Sequence, residues 1–179
     1  FANNAKESYE RMIEYITKAE KELTKKSKRI RVSKYVEKKI SISEVSNLIR
    51  QQIANKRGDD FERKIVYFNK PKFFDELFSH PNLKKFTNEG PVTPDHVIRI
   101  KSKPLIIDLS KEKSNNLEKI IIQSIESFKE SYKKYFKRNH KYNSTASMLD
   151  PYPRLILVKG IGIFSTGPTF KDAKIAMDV

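Results

Sequence analysis

The sequence predicts a three-layer α/β domain preceded by a helical segment. Up to about residue 53, apolar residues recur every three or four positions, which is the period of a helix that buries one face. After about residue 60, short apolar runs alternate with helical patterns, as is typical of strands packed between helices. The polar stretch Gly58-Asp59-Asp60 separates the two parts. We therefore predict a helical segment over residues 1–58 and an α/β unit over residues 59–179.

The helical segment contains two predicted helices and a basic connector. The first helix runs from Asn4 to about Lys26, and its apolar face consists of Ala5, Tyr9, Met12, Ile13, Ile16 and Leu23. The second helix opens at Ser43, a residue type that caps helix N-termini, and ends before Gly58. The stretch between the two helices has no strong apolar period, and we expect a connector there.

The α/β unit contains three predicted strands and several predicted helices. We predict strands over residues 64–68, 105–107 and 155–158, and helices over residues 73–78, 82–86 and 116–139, with another from Thr93. Thr93-Pro94-Asp95 is a typical helix start, because Thr caps, Pro fits the first turn and Asp favours the positive end of the helix dipole. The closing stretch is predicted to be a glycine turn followed by a helix from about Pro168.

The closing glycines are a weak candidate for an anion site. Gly160 and Gly162 follow a predicted strand, which is the order found in phosphate-binding turns. A dinucleotide turn also requires a helix close behind the glycines and an acidic residue after the next strand. Here the predicted helix starts too late and no second strand follows before Val179. The backbone N–H groups of Gly160, Gly162 and Gly167 remain candidates to hold a smaller anion.

The residue types limit the chemistry of the chain. It has no cysteine, which excludes disulfides, thiolate catalysis and cysteine-ligated metal sites. Its histidines, His80, His96 and His140, show no short metal-binding spacing. Tyr35 and Lys39 have the Tyr-x-x-x-Lys spacing of short-chain dehydrogenases, but about one such match is expected by chance in a chain this rich in Lys. We therefore predict no catalytic residue, no metal ligand and no cofactor in this chain.

The net charge of +15 raises the question of a polyanionic partner. Basic residues cluster over residues 25–39 and 129–141, with aromatic residues interleaved in the second block. These aromatic residues also continue the apolar stripe of the long predicted helix, which is formed by Leu117, Ile121, Ile125, Phe128, Tyr132 and Tyr135. We therefore expect the lysines to cover solvated faces and do not expect a nucleic-acid partner. A basic module that binds nucleic acid or another polyanion is the alternative.

Two further features bear on location. No apolar run approaches the roughly 20 residues that a membrane-spanning helix needs, and the first residues do not resemble a signal peptide. The absence of cysteine fits a reducing compartment. We expect a cytoplasmic protein without a membrane partner.

Three motifs carry a family resemblance. The first is EGPVTPDHVIRIK from Glu89, followed by Pro104. The second is DPYPRLILV from Asp150 together with GIGIF from Gly160, and the third is AKESYERMI from Ala5. Together they resemble the middle region of bifunctional proteins that join a class II (adducin-type) aldolase to a short-chain dehydrogenase, of the rhamnulose-1-phosphate aldolase/lactaldehyde dehydrogenase type.

The resemblance implies a specific division of the chain. Residues 1–58 would contain the last helix of the aldolase domain plus a connector, and residues 59–179 a degenerate aldolase-like unit. In the family, a turn before the closing helix carries a zinc-binding histidine. Aligning Asn4–Met12 with Thr169–Met177 matches a Lys, an acid, a small residue and a Met, which suggests an internal repeat. Ile161 then stands in the position of that histidine, and the second unit is expected to lack zinc.

The resemblance also implies a function. The chain would be a piece of a larger protein that uses zinc and NAD, with the dehydrogenase motifs after Val179. The parent would cleave rhamnulose 1-phosphate to dihydroxyacetone phosphate and lactaldehyde, and would oxidise the aldehyde with NAD. This chain would be inactive by itself and would position the flanking aldolase and dehydrogenase domains, its partners, with homo-oligomer contacts as a further expectation.

Overall fold

The computed structural model describes residues 2–27, 40–57, 60–109 and 116–179. Contacts divide the chain into two compact units, Phe1–Arg31 and Val32–Val179. Most of the predicted basic connector lies outside the described residues.

Over residues 2–27, the described part of the first unit, the chain forms one helix, α1 (Ala5–Lys26). Its N-cap is Asn4, whose side-chain oxygen accepts a hydrogen bond from the backbone N–H of Glu7 at 2.9 Å. The predicted helix is therefore confirmed. None of its residues is buried, and most of the predicted apolar face is exposed: Tyr9, Met12, Ile13, Ile16 and Leu23.

The second unit contains six helices and six strands within its described residues. In chain order these are α2 (Ile42–Gln52), β1 (Asn55–Arg57), β2 (Asp60–Glu62), β3 (Ile65–Asn69), α3 (Phe74–Ser79), α4 (Leu83–Glu89), α5 (Pro94–Ile100), β4 (Leu105–Asp108), α6 (Leu117–His140), β5 (Leu155–Lys159), β6 (Gly162–Gly167) and α7 (Phe170–Asp178). Every predicted helix and strand of this unit has a counterpart here. The small β1–β2 hairpin and β6 are additional.

Four strands form the central sheet in the order β3-β6-β5-β4. β6 pairs antiparallel with both β3 and β5, whereas β4 and β5 are parallel and are connected through α6. A parallel pair requires such a crossover, because the chain must return to the same end of the sheet. β1 and β2 form a separate antiparallel pair.

Helices cover both faces of this sheet, so the unit has three layers. Alternate residues of β4 and β5 point to opposite faces, as a pleated strand requires. Ile107 and Val158 pack with α2 and α6 in one core, and Ile106 and Leu157 pack with α3, α4 and α7 in the other. The predicted α/β class is confirmed in this form.

Helix α2 belongs to the second unit. Its apolar residues Val45, Ile49 and the adjoining Ile53 are completely buried in the core that α6 and the sheet also form. An apolar helix face is stable only where another element covers it, and here the covering elements lie later in the chain. The compact unit therefore starts before α2, which differs from the predicted division at residue 58. The assignment of residues 1–58 to the end of an aldolase domain remains a prediction.

The closing stretch differs from the predicted turn and helix. β6 follows the glycine turn directly, and α7 begins only at Phe170, where Thr169 caps it by accepting the backbone N–H of Asp172 at 3.2 Å. β6 lies between two strands and under helices on both faces, so all six of its residues are buried. A strand covered on both faces is usually a continuous apolar run, as in β5, but Gly162, Ser165, Thr166 and Gly167 leave β6 with only two apolar residues, so the sequence pattern did not indicate it.

Candidate functional site

The glycines that the sequence singled out lie at the two ends of β6. Gly160 has φ +95° in the β5–β6 turn, where the backbone N–H of Ile161 donates to the Val158 carbonyl at 3.0 Å. A Cβ on Gly162 would lie 2.4 Å from a ring carbon of Phe68. Gly167 lies five residues further along the strand, roughly 16 Å away at 3.3 Å per residue. The structure therefore does not bring the three anion-site candidates together.

Packing explains Gly162 and Gly167. A side chain at Gly162 would collide with Phe68 on the neighbouring strand, and a Cβ on Gly167 would lie 2.5 Å from the backbone nitrogen of Ala173 in α7. Both positions need glycine because another part of the chain approaches closely.

Ile161 lies in the apolar core. Only 5% of its surface is exposed, and it belongs to the core beneath α2 and α6. The position that the resemblance assigns to a zinc ligand is therefore filled by an apolar side chain among apolar neighbours.

The three histidines lie on three different helices or helix ends. His80 packs on the ring of Phe86 at 4.6 Å between centroids, and His140 packs on Phe136 at 5.1 Å. His96 lies in the first turn of α5, whose cap residue accepts its backbone N–H. Among the described residues, no group of three or more His, Asp and Glu side chains is placed to hold a metal ion.

The structure assembles a buried ionic cluster that the sequence did not predict. Asp150 is at its centre, with its carboxylate 2.6 Å from the Lys64 Nζ and also bonded by the Arg154 guanidinium. The Lys101 Nζ donates a hydrogen bond to the main-chain oxygen of Asp150. One carboxylate thus faces three cations, two of which, Lys64 and Lys101, are almost fully buried.

Different elements bring these residues together. Lys64 directly precedes β3, and Asp150 and Arg154 flank the two prolines before β5. Lys101 ends α5 with φ +66°, a conformation that non-glycine residues seldom adopt, and its backbone N–H donates to the Val97 carbonyl at 2.8 Å. This geometry turns the Lys101 side chain inward.

Two tyrosines complete the surroundings of the cluster. The Lys101 Nζ lies 4.0 Å from the centre of the Tyr132 ring, on α6. The Lys64 Nζ lies 5.0 Å from the centre of the Tyr152 ring, and the Tyr152 hydroxyl donates to the Ala54 carbonyl at 3.2 Å. The ring faces provide partial compensation for cations that have lost water.

Burial and charge oppose each other in this cluster. Burial lowers the pKa of Lys101 to about 7, although the negative charge of Asp150 acts in the opposite direction. Burial likewise lowers the pKa of Lys64 against the effect of its bond to Asp150. Burial would raise the pKa of Asp150, but the bond to Lys64 and the nearby charge of Arg154 prevail and hold that pKa below its usual value.

The ionic cluster links three separate segments of the second unit. It joins the end of α5, the start of β3 and the segment before β5 through one carboxylate and one carbonyl. Lys101 closes the first motif of the family resemblance and Asp150 opens the second, so these motifs meet in space. In the sequence, only the membership of Lys101, Asp150 and Arg154 in these motifs singled them out. The composition of the motifs did not indicate which charges would be buried.

In the second basic block, residues 129–141, some of the lysines form ion pairs and ring contacts within the second unit. Lys129 pairs with Glu126 at 2.6 Å and lies 5.3 Å from the centre of the Tyr152 ring, and Lys133 pairs with Glu130 at 2.8 Å. Tyr132 packs against the core, as the helical stripe predicted. The first basic block lies mostly outside the described residues.

The long helices are amphipathic or charged rather than apolar throughout. Of the helices that the structure describes, none combines the length and the apolar character needed to cross a membrane. The cytoplasmic location remains a prediction.

A four-stranded mixed sheet with helices on both faces defines this protein as a small α/β domain. The model of the family described as "Aldolase class II, second domain" matches residues 41–179. The match begins at Ser41, the N-cap of α2, and covers most of the chain. The chain therefore belongs to the family of class II aldolase second domains.

One named relative adds a second association. A protein of Bacillus subtilis (strain 168) with the name "Uncharacterized oxidoreductase YuxG" is 33% identical over 89 residues, which are 49% of this chain and 13% of that protein. The chain thus matches a small part of a much longer relative. No solved structure matches the chain significantly. The match to the class II aldolase second domain and the similarity to the protein named as an oxidoreductase are consistent with a fragment of an aldolase/dehydrogenase.

Proposed function

We propose that this chain is the inter-domain unit of a bifunctional class II aldolase and NAD-dependent short-chain dehydrogenase, and that it positions the two catalytic domains. The observation that carries this proposal is the double match of one chain, to the class II aldolase second domain and to part of a long protein named as an oxidoreductase. The aldolase and dehydrogenase activities, and their zinc and NAD, belong to the flanking domains in this proposal.

The site of the suspected zinc turn supports a structural role. Ile161 is buried in the core and offers no ligand atom, and the three histidines lie apart. The ionic cluster around Asp150 braces the segment before β5, which is a function of rigidity rather than of turnover.

Matched helix starts support the internal repeat. In the alignment of Asn4–Met12 with Thr169–Met177, the cap residues Asn4 and Thr169 coincide. Each accepts the backbone N–H of the acidic residue three positions later, at 2.9 Å in α1 and 3.2 Å in α7. The two helices therefore begin at the same aligned position with the same capping bond.

The exposed apolar face of α1 supports a flanking aldolase domain. α1 has 22 residues, none of them buried, and several large apolar side chains that are exposed. Helices in proteins owe most of their stability to packing of their apolar face, so this face needs another part of the protein to cover it. In the proposal, the aldolase domain provides this cover and α1 is its last helix. The parent would act in the catabolism of a rhamnose-type sugar, by cleaving its ketose 1-phosphate and oxidising the resulting lactaldehyde.

Calorimetric titration of the chain with zinc and, separately, with NAD tests the structural role. We expect no binding of either. Stoichiometric binding of either one would contradict the proposal, because a catalytic centre would then lie within this chain. The reading frame provides a second test: we expect it to continue beyond Val179 into a glycine turn and a Tyr-x-x-x-Lys pair. A stop codon directly after Val179 would contradict the proposed parent.

A basic polyanion-binding module is the second candidate function. Lys134, Lys137 and Arg138 are exposed on α6, and none of them forms an ion pair with another residue of the described chain. Retention on heparin that falls steeply with salt would favour this candidate, because each neutralised phosphate or sulfate releases counterions. Elution at low salt would remove it.

A further inference from the structure

A cleft runs along α6. One cavity of about 810 Å³ lies between α4, β4 and α6. A second cavity of about 580 Å³ continues it toward the C-terminal half of α6, and Asn88, Lys103 and Ser127 are among the residues that line both. Each volume is in the range of small-molecule sites.

The cleft follows β4, the edge strand of the sheet. β4 and β5 are parallel, and their last residues, Asp108 and Lys159, are paired in register and both line the first cavity. Lys103 and Pro104, directly before β4, also line this cavity, so the cleft extends along the whole of β4 to the amino end of the strand.

The charges of the cleft are unbalanced. Lys84, Lys103 and Lys134 line it from three separate segments, and in the described part of the chain none of the three forms an ion pair. Its two acidic side chains are already paired, Asp108 with Lys159 at 3.3 Å and Glu130 with Lys133 at 2.8 Å. The cleft thus presents an excess of positive charge that an anionic ligand would neutralise.

Hydroxyl groups line one wall. Ser124, Ser127 and Ser131 follow one another at helical spacing along the cleft side of α6, and Ser102 lies in the opposite wall. Serine hydroxyls donate hydrogen bonds to phosphate oxygens, and the apolar side chain of Leu105 closes part of the floor.

We propose that this cleft binds a small phosphate-bearing molecule, with Lys103 and Lys134 holding the phosphate and the serine wall of α6 contacting the rest of the ligand. Lys103 lines both cavities, Lys84 lines the first and Lys134 the second, so cations from three segments border one concave cleft, whereas a polymer such as RNA would need an extended stripe. This inference does not rest on the proposed role between two catalytic domains.

The test is a titration of the ¹⁵N-labelled 179-residue chain with inorganic phosphate and with glycerol 3-phosphate, followed by NMR. We expect saturable shifts at the amides of Lys103, Ser127 and Ser131, with glycerol 3-phosphate binding more tightly than phosphate. Lys103→Gln and Lys134→Gln should each weaken binding by roughly tenfold or more, because each removes a charge-assisted hydrogen bond.

Lys137→Gln is the matched control. Lys137 lies on the same helix and loses the same charge, but it does not line either cavity. Its variant should bind glycerol 3-phosphate as the wild type does. An equal loss for Lys137→Gln and Lys134→Gln, shifts that never saturate, or a preference for a single-stranded oligonucleotide that collapses with salt would overturn the proposal. The zinc and NAD titrations are independent of all these outcomes.

Discussion

Lys101→Met replaces a buried cation in the Asp150 cluster with an apolar side chain of similar length. In the wild type, Lys101 is 3% exposed, and its Nζ donates to the Asp150 carbonyl and lies over the Tyr132 ring. These contacts do not restore the hydration that the ammonium group loses, and burial therefore lowers its pKa to about 7 from an ordinary value of 10.5. Methionine removes both the contacts and the desolvated charge.

The magnitude follows from proton linkage. Between about pH 7 and pH 10.5 the unfolded chain holds a proton on Lys101 that the folded chain has lost, so the stability of the wild type rises with pH. The limiting slope is about 1.4 kcal/mol per pH unit, and between pH 7 and pH 9 the gain is about 2 kcal/mol. Below pH 7 both states are protonated and the full cost of the buried charge remains constant.

Urea unfolding at several pH values measures this effect. The chain has no tryptophan, so the near-ultraviolet circular dichroism of its tyrosines reports the tertiary structure. Between pH 7 and pH 9, we expect the free energy of unfolding of the wild type to rise by about 2 kcal/mol relative to that of Lys101→Met, because methionine does not titrate. Lys174→Met, at an exposed position on α7, is the matched control and should keep the pH dependence of the wild type. Parallel stability curves for the wild type and Lys101→Met would refute the reasoning.

Two further substitutions test the packing and the charges of the second unit. Gly162→Ala should lower the free energy of unfolding by about 2 kcal/mol, because its Cβ would lie 2.4 Å from the Phe68 ring. Phe68→Leu in the same chain should recover part of that loss. An unchanged urea midpoint for the single variant would contradict the contact. Asp150→Asn should cost about 3 kcal/mol at pH 7, because it leaves Lys64 and Arg154 without their carboxylate. Because the pKa of Asp150 is lowered in the folded state, this stability is present above the ordinary carboxyl range and is lost as pH falls through the folded-state pKa. In urea unfolding at decreasing pH, the free energies of unfolding of the variant and the wild type should therefore converge. A difference that stays constant with pH would contradict the pairing.

Local signals predicted most of the elements. Thr93 caps α5 where the sequence indicated, α1 begins at Ala5, one residue after its predicted start, and the apolar stripe of α6 is buried from Leu117 to Phe128. Helix caps and helical periods depend on residues a few positions apart, so they are readable without knowledge of the fold. The family resemblance also drew on local motifs, and the match to the class II aldolase second domain confirms its coarser part.

The elements that were missed depend on distant partners. β6 contains glycines, a serine and a threonine, yet it is a central strand because β3 and β5 flank it and helices cover it. Its Ser165 hydroxyl is satisfied by the Ala173 carbonyl at 2.6 Å and its Thr166 hydroxyl by the Pro153 carbonyl at 2.7 Å. Such polar residues are tolerated inside a sheet only when partners elsewhere in the chain accept their protons.

By itself, the sequence determined the α/β class, the helix starts, the apolar stripes and the motifs that point to the aldolase family. The tertiary structure alone decided that α2 joins the second unit and that Ile161 is a core residue. It also decided which of the many charges are buried, by bringing Lys64, Lys101 and Arg154 to Asp150. Charge is a property of a residue, but burial and pairing are properties of its neighbours. For this cluster those neighbours come from segments up to 90 positions apart, as between Lys64 and Arg154.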